Sequence, residues 1–185
     1  VLSEFDIKFL RKLSLFDVPL FEYYFLQDFK SLESLRIGFQ SKSGTKAKLE
    51  TIPNLESLKY LSLESMRHIE ELPLLPNLES LSLKSIKNED CTAVTKFPRL
   101  KDLWISQSTL DNYNIICRIS SLIRLRIINV RNFNISYYEN LKHTSLRHLE
   151  LCLCPAICNL DFLKSFPNLI SIFIDCCNNL TNLQG

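Results

Sequence analysis

A short pattern of apolar positions recurs along the whole chain. The pattern is L-x-x-L-x-L, with Ile accepted at the later positions, and it begins at Leu10, Leu32, Leu58, Leu78, Leu100, Leu122, Leu146 and Leu169. Successive starts differ by 22, 26, 20, 22, 22, 24 and 23 residues. A repeat of this length indicates a solenoid, in which each copy forms one structural unit that stacks on its neighbours.

Each copy also shows the alternation of a β-strand. In "LESLSL", Leu81 and Leu83 point to one side of the chain, and Ser80, Ser82 and Lys84 point to the other. One unit is too small to bury its apolar side, but units stacked in register bury a continuous core. Prolines stand just before four copies, in "IPNL", "LPNL", "FPRL" and "FPNL", where a turn into the strand needs no ladder hydrogen bond. The pattern therefore predicts one short strand per copy.

At these residues the chain resembles the leucine-rich repeat superfamily, over nearly its whole length. The resemblance implies an α/β fold: a curved solenoid of about eight repeats, with a parallel sheet on the concave face and short helical or irregular segments on the convex face. We expect residues 1–185 to form a single domain, part of a longer chain because the first residue is not Met, with an exposed insertion loop around residues 38–54. The aromatic residues of "LFEYYFLQDF" and "SYYENL" are expected to belong to the convex layer of the core.

The family pattern places an inward-pointing Asn or Cys three residues past the last apolar position of each copy. Here this column reads Val18, Gln40, Met66, Ile86, Ser108, Val130, Cys154 and Cys177. The cysteine-type variant in "CPAICNLDFL" and "CCNNLTNL" is similar to the repeats of intracellular plant immune receptors and F-box adaptors. The column contains no Asn, so the extracellular subtypes with an asparagine ladder fit poorly.

Composition argues against several classes of function. The 22 Lys and Arg residues nearly balance the 20 Asp and Glu residues, so no overall field attracts nucleic acid or an acidic membrane. The three glycines, Gly38, Gly44 and Gly185, are too far apart to form a phosphate-binding loop. No apolar run approaches the roughly 20 residues of a membrane-spanning helix. We therefore expect no nucleic-acid partner, no membrane span and no cofactor.

The cysteine content favours a reducing compartment. The chain contains an odd number of cysteines without paired spacing, namely Cys91, Cys117, Cys152, Cys154, Cys158, Cys176 and Cys177. We interpret them as reduced thiols that pack as small apolar side chains. The alternative is a metal site built from His148, Cys152, Cys154 and Cys158, but the segment has no C-x-x-C. Strand alternation should also send Cys152 outward and Cys154 inward.

Catalysis is not predicted for this chain. Of the three histidines, only His148 falls at an outward strand position, and Cys152 is its neighbour on the same side. Four residues along a strand span about 13 Å, which is well beyond hydrogen-bond reach for a nucleophile and its base.

The outward strand positions are the expected binding surface. The residues that we expect to contact a partner are Trp104, Arg124, Arg126, His148, Glu150, Phe173, Asp102, Tyr60 and Arg36. Trp, Tyr and Arg are the types enriched among interface hot spots, and the mixture of charge signs favours a protein partner. The alternative for Trp104 is that Arg126 stacks on the indole without any partner.

The sequence thus predicts a non-enzymatic protein-recognition module, part of an intracellular receptor or adaptor in the cytoplasm or the nucleus. Two alternatives stay open. The chain could be a secreted or surface leucine-rich repeat protein, or the targeting region of an enzyme whose catalytic domain lies elsewhere.

The predicted redox state can be checked directly. We expect seven free thiols in native protein purified without reductant, because the cysteines show no paired spacing. Denaturation in a thiol-trapping reagent followed by mass spectrometry counts them. Three disulfides would contradict the prediction and would favour the secretory pathway.

Overall fold

A computed structural model describes residues 7–18, 20, 22–40, 47–130, 132–138 and 143–182. The strands within these ranges are Lys12–Phe16 (β1), Ser34–Gly38 (β2), Tyr60–Glu64 (β3), Ser80–Lys84 (β4), Lys87–Asp90 (β5), Asp102–Ser106 (β6), Thr109–Asp111 (β7), Arg124–Ile128 (β8), His148–Cys152 (β9) and Ser171–Asp175 (β10). Eight of them form one sheet in the order β1-β2-β3-β4-β6-β8-β9-β10.

Each strand of the eight-stranded sheet begins where the repeat pattern predicts it. β3 begins two residues after Leu58, and β8 begins two residues after Leu122. All neighbouring strands are parallel, and equivalent repeat positions face one another, as Leu81 and Leu103 do. The predicted curved solenoid of about eight repeats, with a parallel sheet on its concave face, is therefore confirmed.

The inward strand positions form stacks that run through the solenoid. One stack, in which no side chain is more than 1% exposed, consists of Leu35, Leu61, Leu81, Leu103 and Leu125. Burial of one such side chain stabilises the fold by about 1.5–3 kcal/mol. Because each leucine packs between neighbouring repeats, the same contacts bury the core and set the register.

The convex side is built from short 3-10 helices. In the described ranges they span Ile7–Phe9, Tyr24–Asp28, Leu49–Thr51, Ile69–Glu71, Cys91–Lys96, Tyr113–Arg118, Ile135–Tyr138 and Asp161–Ser165. None of the helices in these ranges is long and apolar enough to cross a membrane. The short helical return segments agree with the sequence prediction.

A second sheet was not predicted. β5 and β7 pair in parallel within the return segments, with an irregularity between Lys87 and Glu89. The sequence "KNED" of β5 has no apolar alternation, so periodicity gives no strand signal there. The two segments meet because consecutive repeats of 22 residues place equivalent backbone positions side by side.

The predicted insertion loop around residues 38–54 lies partly outside the described residues, which leave out 41–46. Beyond that gap, Leu49 and Thr51 are buried within a short 3-10 helix. The Thr51 hydroxyl accepts a hydrogen bond from the N–H of Tyr23 at 2.8 Å. This end of the insertion packs on the preceding repeat and is not the exposed loop that we expected. The single-domain assignment stays a prediction.

Aromatic residues fill part of the convex layer. Tyr113, Phe133, Tyr138 and Phe166 follow one another with ring-centroid distances of 5.4, 5.8 and 5.8 Å. All four are buried, which supports the interpretation of Tyr138 in "SYYENL" as core. In "LFEYYFLQDF" the outcome is mixed, because Leu26 and Phe29 are buried whereas Tyr24 is exposed.

The inward column explains the two adjacent cysteines Cys176 and Cys177. Cys177 and Cys154 are buried, and the Cys154 thiol donates to the carbonyls of Cys152 at 3.4 Å and Ile127 at 3.6 Å. Ser108 has a related role, since its hydroxyl donates to the Ser106 carbonyl at 2.8 Å. A polar column residue therefore donates to a carbonyl of its own strand, and Cys154 donates also to a carbonyl in the strand of the preceding repeat.

One column member was predicted wrongly. Gln40 is exposed, whereas Met66, Ile86 and Val130 at equivalent positions are fully buried. Gln40 lies at the start of the longest repeat spacing, and its N–H donates to the side chain of Asp17 at 2.7 Å. The chain leaves the repeat path there, so the family position no longer points inward.

A left-handed residue follows most strands of the large sheet. The residues are Asp17, Ser65, Ser85, Gln107, Asn129, Leu153 and Cys176, with φ between 51° and 56°. The N–H of each of the first six donates to the backbone carbonyl of the last residue in the next repeat's strand. For Leu153 this acceptor is the Asp175 carbonyl, at 2.9 Å. Short polar side chains tolerate this conformation, but a leucine is strained in it.

Replacing Leu153 should therefore stabilise the protein. We expect Leu153→Asn to raise the free energy of unfolding by about 0.5–1 kcal/mol, because Asn suits the left-handed region and Leu153 is 46% exposed. The matched reverse change, Asn129→Leu, should lower it by a similar amount. Urea denaturation measures both, and a loss of stability in Leu153→Asn would contradict the strain argument.

Candidate protein-binding face

The concave face presents three rows of outward side chains, one residue per strand in each row. The first row is Lys12, Ser34, Tyr60, Ser80, Asp102, Arg124, His148 and Ser171. The middle row is Ser14, Arg36, Ser62, Ser82, Trp104, Arg126, Glu150 and Phe173. The third row is Phe16, Gly38, Glu64, Lys84, Ser106, Ile128, Cys152 and Asp175. Every residue predicted to bind a partner lies in the first or the middle row.

Four of these residues form one connected group, the Trp104 cluster, made of Asp102, Trp104, Arg124 and Arg126. The Arg126 Nη2 donates to Asp102 Oδ2 at 2.7 Å, and Arg124 Nη1 lies 3.5 Å from the same oxygen. The Arg126 guanidinium carbon lies 5.2 Å from the Trp104 ring centroid, which is a cation–π distance. The stack of Arg126 on Trp104, which was the alternative to partner binding, is present, and partner binding by the cluster stays a prediction.

The cluster is only partly open to solvent. The side chains of Asp102 and Arg126 are 22% and 26% exposed, whereas that of Arg124 is 46% exposed. Trp104 Nε1, Arg126 Nε and Asp102 Oδ1 are closed to solvent and form no hydrogen bond within the described part. Arg124 is therefore the most accessible charge of the cluster.

A second arginine–aromatic pair lies nearer the start of the sheet. The guanidinium carbon of Arg36 lies 5.4 Å from the Tyr60 ring centroid. Between this pair and Trp104 the middle row contains only Ser62 and Ser82, and Ser82 is 7% exposed although it faces outward. The sequence located these residues on one face but gave no sign that Arg36 and Tyr60 pair.

The remaining predicted residues are not bonded to the Trp104 cluster. His148 Nδ1 lies 2.8 Å from the Ser171 hydroxyl, on the side away from Arg124. Glu150 stands opposite Arg126 in the sheet register, yet the two form no ion pair in the described part of the chain. Phe173 is 56% exposed and offers the largest open apolar surface of the predicted set.

Cys152 differs from its expectation in one respect. It faces outward in the third row as predicted, but it is only 8% exposed. Burial, with the nearby carboxylates of Glu150 and Asp175, raises the pKa of the Cys152 thiol to about 11. The thiolate is the nucleophilic form of cysteine. A neutral thiol, together with a His148 ring that contacts Ser171, does not form an activated nucleophile–base pair.

A candidate metal-ligating group lies on the convex side, where the sequence did not predict one. Among the described residues, His68, Glu70 and Glu71 alone bring three donor atoms within 4.8 Å of one another, and all three are exposed. The pKa of Glu71 is raised because its protonated carboxyl donates a hydrogen bond to the neighbouring Glu50 carboxylate. His148, Cys152, Cys154 and Cys158 do not come together in this way. Exposed acidic groups are common without a metal, so the group carries no assignment.

Comparison with known proteins identifies the fold. Neither a family model nor a curated protein sequence matches this chain. Among solved structures, internalin C2 from Listeria monocytogenes, a leucine-rich repeat protein, superimposes with a TM-score of 0.59 at 20% sequence identity. The match covers 91% of this chain and 82% of that chain. This chain has the leucine-rich repeat fold. The cysteine-containing subtype and the likeness to plant receptors stay hypotheses.

The two arginines of the cluster should differ in their contribution to stability. We expect Arg126→Ala to lower the free energy of unfolding by about 1 kcal/mol, because it removes a short ion pair and a cation–π contact that are both partly buried. Arg124→Ala, the matched control, should cost less than about 0.5 kcal/mol, because its contact is longer and more exposed. Thermal and urea unfolding compare them, and equal losses would show that the stack adds no stability.

Proposed function

We propose that this protein is a protein-recognition module without enzymatic activity, and that its partner binds the concave face across β6, β8, β9 and β10. The observation that carries the proposal is the grouping of an indole, two guanidiniums and a carboxylate on a rigid parallel sheet. Trp and Arg are enriched at interface hot spots, since both combine large contact area with a polar or charged group.

The charges of the face favour a protein over a polyanion. Arg124 and Arg126 are balanced by Asp102 and Glu150, so the centre of the face has no excess of positive charge. A nucleic-acid surface needs clustered basic residues that are free to contact phosphates, and Asp102 already engages both guanidiniums. A partner with interspersed charges of both signs matches this pattern.

The dimensions suit a helix or a loop of the partner. Neighbouring strands lie about 4.8 Å apart, so β6 to β10 span roughly 15 Å. Phe173 at one end and Trp104 at the other offer aromatic surface, and Arg124, His148 and Glu150 lie between them. We propose Phe173, Trp104, Arg124 and Arg126 as the main contacts, with Arg36 and Tyr60 at the periphery.

The parent protein is proposed to be a cytoplasmic receptor or adaptor in which another region provides the output. The odd number of cysteines and the complete burial of Cys91 and Cys154 support a reducing compartment. A disulfide found in the thiol count would favour the secreted alternative.

Binding should depend on the Trp104 cluster. We expect Trp104→Ala or Arg126→Ala to weaken partner binding by about 2 kcal/mol or more, since both remove contact surface at the centre of the face. Ser62→Ala and Ser82→Ala, in the same row, should cost less than about 0.5 kcal/mol. Wild type and variants are compared first as baits in quantitative affinity capture, and then by titration calorimetry against the captured protein.

Two controls make this result interpretable. Lys87→Ala and Lys87→Gln change an exposed residue of β5, away from the concave face, and should capture the partner as wild type does. Equal losses in the Trp and Ser variants, or losses confined to the β5 variants, would exclude the concave face as the binding surface.

A further inference from the structure

Resting on the proposed function, we infer that Asp102 is the positioning residue of the binding face. It holds the Arg126 guanidinium over the indole of Trp104, so that the partner meets a platform assembled before binding. Asp102 and Trp104 stand two residues apart on β6 and face the same side, and Arg126 reaches them from β8.

Arg126 stands between two carboxylates, and the choice between them decides where its guanidinium lies. Glu150 on β9 is its direct neighbour in the register, while Asp102 on β6 is diagonal to it. The ion pair forms with Asp102, at 2.7 Å. Because Asp102 lies on the Trp104 side, this pairing draws the guanidinium across the indole, whereas pairing with Glu150 would draw it towards β9.

The same carboxylate also orients the second arginine. Arg124 Nη1 lies 3.5 Å from Asp102 Oδ2, so both arginines of β8 lean towards β6. On the next strand His148 contacts Ser171 of β10, in the opposite direction. Glu150 contacts the Cys152 thiol at 3.8 Å and makes no ion pair within the described residues, which leaves its carboxylate for a cation of the partner.

Positioning matters for affinity because an arginine loses much rotamer freedom on binding. A side chain already fixed in the free protein does not lose that freedom when the partner arrives. Releasing one long side chain from its fixed position should weaken binding by about 2- to 10-fold. The effect of Asp102 is therefore indirect, through Arg126 and Trp104.

The free protein offers a direct readout, because Trp104 is the only tryptophan of the chain. Its fluorescence and its quenching by acrylamide report the covering of the indole without any partner. We expect Asp102→Ser to increase quenching and to shift emission to longer wavelength, as the guanidinium leaves the ring. Serine stands at the same row position in β2, β4 and β10, so this variant suits the strand.

Glu150→Ser is the matched control, since it removes the same charge from the other side of Arg126. Serine also occupies its row in β3 and β4. We expect quenching of this variant to equal that of wild type. Arg126→Ser removes the guanidinium itself and sets the upper limit of quenching. If Asp102→Ser does not fold, Asp102→Asn carries the same test, because it removes the charge and keeps the shape of the side chain.

The outcomes separate this inference from the proposed function. Unchanged quenching in the Asp102 variant, or an equal change in Glu150→Ser, would overturn the positioning role whatever the protein binds. With the captured partner, loss of affinity in Trp104→Ala but not in Asp102→Ser would overturn it as well. Wild-type affinity in both variants would instead reject the concave face as the site. Increased quenching with a 2- to 10-fold loss of affinity in Asp102→Ser supports the inference.

Discussion

The stacking of inward leucines in register is the interaction on which the rest of the structure depends. Leu81 lies opposite Leu103, and Leu103 lies opposite Leu125, so the outward residues between them must also align in rows. A slip of one residue would turn every inward side chain to the other face and expose a whole stack. The register is therefore fixed by the core, and the concave face inherits it. The strained left-handed Leu153 is tolerated because its N–H extends the same ladder to the Asp175 carbonyl.

Apolar periodicity was sufficient to predict the strands of the large sheet, because burial acts on every copy in the same way. It failed where burial does not determine the local structure. β5 has no apolar side, so only its position beside β7 in consecutive repeats of equal length makes it a strand. Gln40 is the opposite case: the repeat pattern places it in the inward column, but it is exposed, because the spacing of its repeat is longer. Repeat spacing therefore helps to predict strand pairing and burial where residue types alone do not.

The candidate face was predictable in composition but not in arrangement. Alternation placed Asp102, Trp104 and Arg126 on one side, and a stack of arginine on tryptophan could be anticipated from their positions in neighbouring repeats. The pairing of Arg126 with Asp102 and not with Glu150 could not be anticipated, because both carboxylates are within reach of a long flexible side chain. That choice depends on rotamers and on packing against the indole, which pattern analysis does not describe. The exposure of Phe173 and the burial of Ser82 depend in the same way on the neighbours of each side chain.

The column cysteines fit the core of the last repeats as protonated thiols. At Cys154 the side chain must be small and apolar enough for a fully buried position, and it must also donate to carbonyls at 3.4 and 3.6 Å. A thiol meets both conditions as long as it stays protonated, and burial raises its pKa to about 12. Oxidation would remove the donor and add volume to a site without space for it. Oxidation of Cys154 or Cys177, the two thiols that the repeat pattern places inward, would therefore destabilise the packing of the last repeats.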